Sequence, residues 1–180
     1  VKDAVVRFLT RRNKGRFCDL PEYRRHFGPA THFVSHAWAD AFCDLVAQLC
    51  EHTARELASG NPEPRYWIDV FAICQWKGAL QRADMPQGLN NTDHGFRRVI
   101  ASTGKVVLAL HRCLAPHMLG RAWCLYEMWA SVRGGAKLEA LMTEASREEL
   151  RTKLSGGKLD VVGKMTREID VAKAQAEKKE

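Results

Sequence analysis

Residues 121–129, Arg-Ala-Trp-Cys-Leu-Tyr-Glu-Met-Trp, set a carboxylate one helical turn after a large aromatic. At about 100° per helical residue, Leu125, Met128, Trp129 and Val132 share a stripe that reads as the core face. Glu127 falls on the far side, with Trp123 one turn before it and Ser131 one turn after. A glutamate so placed is ordinarily solvated, yet beside Trp123 it also suits one particular reaction. Cleaving an N-glycosidic bond to a pyridinium needs no general acid, because nicotinamide leaves neutral. One carboxylate can steady the oxocarbenium-like ribose while an aromatic packs against the base, and water or another nucleophile completes the reaction. Ordinary glycosidases need two carboxylates.

Other chemistries lack their residues. There is no Gly-x-x-x-x-Gly-Lys-Ser/Thr loop and no Gly-x-Gly-x-x-Gly turn, so a nucleotide would bind by other means. His32 and His36 are four apart, but on a strand that separates them by roughly 13 Å and speaks against a metal site. No Gly-x-Ser-x-Gly elbow occurs, and Ser35 has His36 as a sequence neighbour rather than as a positioned base.

The elements that would position Glu127 alternate along the chain. Residues 1–9 read as a short amphipathic helix, followed by a loop-like lead-in to residue 30 broken by Gly15, Pro21 and Gly28-Pro29. Residues 31–35 read as a strand, 40–58 as a helix capped by Asp40 and stopped by Ser59-Gly60-Asn61-Pro62, and 66–71 as a buried strand interrupted only by Asp69. Residues 75–91 read as a long polar connection, either of the kind that is often functional or a tolerated insertion. A helix over 93–103 closed by Gly104, a strand over 105–110, the Glu127 helix closed by Gly134-Gly135, and a strand over 137–142 follow. Ser146 and Glu149 form a capping box for a further helix, and 160–180 read as a polar terminal helix. Such alternation predicts an α/β fold, a parallel sheet with right-handed crossovers and helices on both faces.

Ligands in such sheets bind beyond the carboxyl ends of the strands, where strand order reverses. That rule selects Ser35, His36, Ala37 and Trp38 after the first strand, Asp69 to Phe71 at the end of the second, and His111 after the third.

Composition bounds the rest. The 180 residues, 46% hydrophobic and 27% charged, suit one globular domain with a sizeable core. The longest aliphatic run, 106–110, is far short of a membrane span. Six cysteines without a Cys-x-x-Cys pair read as reduced and cytoplasmic. The net charge of +7 comes partly from basic clusters at 11–16, 24–25 and 97–98. These read as solvated faces, or as attracting a phosphate-bearing small molecule, rather than as a nucleic-acid reader, since no nucleic-acid module accompanies them. The first residue is Val1, which reads as a domain excised from a longer protein.

Four segments together resemble a known family. Thr31-His-Phe-Val-Ser-His-Ala-Trp-Ala-Asp40, Tyr66-Trp-Ile-Asp-Val-Phe71, the run 100–110 and Trp123-Cys-Leu-Tyr-Glu127-Met are similar, in order and spacing, to the three strands and the Trp-Cys-x-x-Glu helix of TIR (Toll/interleukin-receptor) domains. The likeness covers about residues 31–142 and is nearer to a divergent TIR-like group than to animal receptors. It implies a flavodoxin-like sheet of four to five strands with extra terminal helices. The implied units are 1–30 as N-terminal helix and lead-in, 31–158 as the TIR-like domain and 159–180 as a C-terminal helix.

In many members the family hydrolyses or cyclises NAD as substrate, with no cofactor and no metal, and it signals through self-association. The resemblance makes Glu127 the catalytic residue. It places His36, Ala37 and Trp38 around the nucleotide and makes 71–92 the loop after the second strand. Ser35, Asp69 and Phe71 join the expected substrate site from the strand-end rule, and Trp123 as the aromatic beside the carboxylate, unless it only packs the helix on the sheet. Two departures stand out: Ala37 and Trp38 replace the arginine or glycine common after the first strand, and Ala122 replaces the serine that often precedes Trp-Cys. The alternative expectation is a non-catalytic interaction module, which needs no glutamate at 127.

Overall fold

The computed structural model describes residues 1–76, 92–111 and 117–155. Four parallel strands, β1 (His32–Ser35), β2 (Tyr66–Trp67), β3 (Lys105–Ala109) and β4 (Lys137–Leu141), pair in the order β2-β1-β3-β4. Phe33 is registered on Trp67 and on Val106, and Leu108 on both Ser35 and Ala140. Side-chain alternation along the strands divides the core in two. Phe33, Val106 and Leu108 pack with Phe96 and Ile100 of α3 (Thr92–Thr103) and with Cys124 and Ala130 of α4 (Ala122–Arg133). Val34, Val107 and Ala109 face the other way, onto Leu45 and Leu49 of α1 (Phe42–Ala58). Both faces are therefore covered, as a parallel sheet requires, and the chain is an α/β protein of flavodoxin-like type.

Local physics moves several boundaries away from the sequence reading. The second strand ends after Trp67 rather than running to residue 71. Asp69 Oδ1 accepts the Val70 N–H at 2.6 Å, and the Ile68 carbonyl accepts from Phe71 and Ala72, both at 3.1 Å, so the chain curls into the short helix α2 (Asp69–Ala72). Asp40 does not cap α1. Ala41 holds that position without a side-chain bond, and Asp40 Oδ1 instead meets His117 Nδ1 at 2.6 Å. Nor does Ser146 open the last helix, α5 (Glu144–Ser155), because Thr143 Oγ1 accepts the Ser146 N–H at 3.2 Å and so takes the capping role three residues earlier. Gly135, at φ 69°, closes α4 and lets Ala136 N–H reach the Ser131 carbonyl at 2.9 Å before β4 begins.

The lead-in packs on α2 rather than standing off. Its first turns are π-helical (Lys2–Arg7), and short 3-10 turns follow at Phe17–Asp19 and Arg24–His26. Val6, Phe17 and Leu20 form a small core with Val70, and the Phe17 ring lies 5.3 Å from Phe71. Trp76 Nε1 donates to Thr10 Oγ1 at 2.9 Å, tying the far side of α2 to the same segment. Most of the polar connection at 75–91 and the terminal helix expected over 160–180 lie outside the described residues. No helix among the described residues is long and apolar enough to cross a membrane.

Candidate active site

The face of α4 that meets the sheet is the opposite of the one its hydrophobicity suggests. Cys124, Glu127, Ala130 and Ser131 are buried, whereas Trp129 is 50% and Val132 66% exposed. Three of the four buried residues are small, which lets the helix axis approach the strand ends closely. The bulky Leu125 and Met128 fill the flanks, half-buried against the core. Glu127 is consequently only 7% exposed, so it is not a solvated surface glutamate.

A carboxyl group brought into such a place needs partners. Ser35, the last residue of β1 and itself fully buried, donates its hydroxyl to Glu127 Oε2 at 2.5 Å across a gap of 92 positions. Ser131 Oγ, one turn on, donates to the Glu127 backbone carbonyl at 2.6 Å. Cys124 Sγ, one turn before, reaches the His36 carbonyl at 3.5 Å and pins α4 to the loop after β1. From α2, Asp69 faces the same loop, with Oδ2 accepting from Trp38 Nε1 at 2.8 Å and Oδ1 lying 3.7 Å from His36 Nε2. Ser35, His36, Trp38, Asp69 and Glu127 are thus gathered at the carboxyl ends of β1 and β2.

Electrostatics follow from that burial. Loss of hydration pushes the Glu127 carboxyl up to about 8; the Ser35 hydrogen bond opposes the rise, the Asp69 charge adds to it and Arg121 opposes it. Burial, reinforced by the Glu127 charge, pushes the Cys124 thiol up to about 12. Cys124 is therefore a neutral packing group and no thiolate nucleophile. The rise at Glu127 brings its carboxyl into the range where it changes charge near neutral pH.

The remaining expected site residues fall elsewhere. Ala37 is buried in the core, so only its backbone can face a ligand. Phe71 turns its ring onto Phe17 and Phe42 in the lead-in cluster. Trp123 packs edge-on against Phe96 and Tyr126, each 6.1 Å away, continuing an aromatic row through Phe33 and Trp67. His32 and His36 diverge, His32 lying 5.2 Å from the His52 ring on the α1 side and His36 facing Asp69. Arg121 and Cys124 were not singled out by sequence reasoning. Arg121 stands six residues before Glu127, a spacing that puts two residues on different helix faces, so periodicity carries no sign of their coupling. Two cavities, one at His32 and Lys105 and one at Phe27 and Tyr66, are lined by other residues, and neither includes Glu127.

No family model, no curated protein and no solved structure matches this chain.

Proposed function

We propose that the chain is a TIR-type NAD glycohydrolase or cyclase, with Glu127 as its catalytic carboxylate. The observation that carries the reading is the buried Ser35–Glu127 hydrogen bond of 2.5 Å at the carboxyl ends of the strands, where open parallel sheets bind ligands. In the reaction the bond between ribose C1′ and the pyridinium nitrogen breaks, and its electron pair stays on nitrogen to give neutral nicotinamide. Water, or a nucleophile within the same nucleotide, then bonds to C1′ and releases a proton when it is water. Ionised Glu127 opposes the positive charge that builds on the ribose, and the scarcity of solvent around it strengthens that attraction. A cationic substrate favours the ionised form of a carboxyl that otherwise holds its proton, so binding and ionisation reinforce each other. Asp69 holds Trp38 and His36 as the wall of the loop after β1.

Nicotinamide release from NAD by the purified chain, measured for the parent and for Glu127→Gln over a range of protein concentrations, tests this. Glutamine keeps the shape and an acceptor for Ser35 while removing the charge, so the rate should fall on the order of a thousandfold. Release by the Gln variant at the parent rate would remove Glu127 from the mechanism, and no release by the parent at any concentration would falsify the enzymatic reading.

One observation favours a second reading, an interaction module that uses TIR-type self-association without catalysis. Trp129 and Val132 stand exposed on α4, with the Arg97 guanidinium of α3 5.8 Å from the Trp129 ring, which is the make-up of a contact surface. Association that persists in a chain inert toward NAD would select this second reading.

A further inference from the structure

A groove of about 330 Å³ runs along the outer edge of the sheet, between β2 and the lead-in. That volume lies within the range of small-molecule sites, roughly 300 to 1,000 Å³. Its walls carry three recognition features. Phe27 supplies a large apolar ring that is 38% exposed, and Phe71 lines the groove beside Tyr66 and Trp67. Among the described residues strand β2 pairs only with β1, which leaves one side of its backbone without a strand partner there and able to hydrogen-bond the edge of a heterocycle.

Charge supplies the third feature. Arg16 is neutralised by Asp19, with bonds of 2.6 and 2.7 Å, but Arg24 pairs with no carboxylate among the described residues. Arg65 lies across Gly28, whose absent Cβ would come within 2.8 Å of its Nη1, so the bare glycine admits a further guanidinium at the rim. No acidic residue is among the described residues lining the groove.

We propose that this groove binds a small planar heteroaromatic anion of nucleoside-monophosphate size, its ring on Phe27 and its anionic group on Arg24. The site is separate from Glu127 and stands whether or not the chain cleaves NAD. Calorimetric titration with AMP, with adenosine and inorganic phosphate as separate arms, tests it on the whole chain. AMP should bind saturably, about tenfold more weakly to Arg24→Ala and equally well to Glu127→Gln, with adenosine and phosphate each weaker than AMP.

Cys18 lines the same groove and gives a readout that needs no variant. Burial pushes its thiol up, so alkylation is run at alkaline pH and mapped by mass spectrometry. AMP should slow labelling of Cys18 and leave the exposed Cys50 unaffected. The proposal is overturned by the absence of saturable binding into the millimolar range, by phosphate binding as tightly as AMP, or by affinity unchanged in Arg24→Ala. It is equally overturned if AMP binding is lost in Glu127→Gln with Cys18 unprotected, which would place the ligand at the other site.

Discussion

A carboxyl group enclosed by α4 and the end of β1 cannot shed its proton as a surface glutamate does, and that sets the pH profile expected of any reaction it drives. Burial pushes the Glu127 carboxyl up to about 8, so kcat/KM for nicotinamide release should climb about tenfold per pH unit below that value and level off above it. Ser35 bears on that profile through its hydrogen bond to Glu127. Its hydrogen bond favours the charged form, so Ser35→Ala should move the kcat/KM limb to higher pH while the plateau changes less. Arg121 acts in the same sense from the start of the helix, and Arg121→Gln should move the limb the same way. A merely structural serine would lower the whole profile without displacing it. Rate profiles from pH 6 to 10 separate the two, and a limb that stays in place in Ser35→Ala would remove Ser35 from the mechanism.

Alternation of strands and helices was legible because β3 carries the continuous apolar run Val106–Ala109, which only a sheet covered on both faces buries well. The rule for ligand sites in such sheets also selected Ser35 and Asp69, which the structure places at the same end of the sheet as Glu127. What could not be read was the rotation of α4. Hydrophobicity favours burying Leu125, Met128, Trp129 and Val132, yet close approach to the strand ends favours Cys124, Ala130 and Ser131, and packing prevailed over transfer free energy. The short β2 was hidden for a related reason: an apolar run reads as strand until the Asp69 side chain bonds the next N–H and ends it. The inverted face gives a stability prediction. Trp129→Ala, on the exposed side, should cost less than about 1 kcal/mol in urea unfolding. Ile100→Ala, in the core between α3 and the sheet, should cost roughly 2–5 kcal/mol. The opposite ranking would return Trp129 to the core.

At the scale of the whole molecule, two buried titratable groups at opposite ends of the sheet oppose each other in the dependence of stability on pH. His32 begins β1 and lies beneath α1, where burial, Lys105 and His52 together hold its pKa below 6.5. A base with a depressed pKa stabilises the fold fully above 6.5, and that contribution is lost as pH falls toward the folded value, since the unfolded chain binds the proton more readily. Glu127 behaves inversely. Its pKa rises from 4.5 to about 8 on folding, so the folded chain holds the proton more tightly, and stability is lost as pH climbs through that window. Each unit of such a shift corresponds to about 1.4 kcal/mol, so several kcal/mol are at stake for Glu127. The net charge of +7 adds a background repulsion that varies with pH in every variant alike, and comparison with the parent subtracts it. Denaturant unfolding from pH 4 to 9 should therefore show Glu127→Gln gaining on the parent as pH rises from about 5 to 8. His32→Asn, whose amide stands where Nδ1 meets the Thr31 hydroxyl at 2.8 Å, should gain on the parent only below about pH 6.5. Parallel curves for Glu127→Gln and the parent across this range would mean that Glu127 is hydrated in solution, and the charge-based account of its catalytic role would lose its footing.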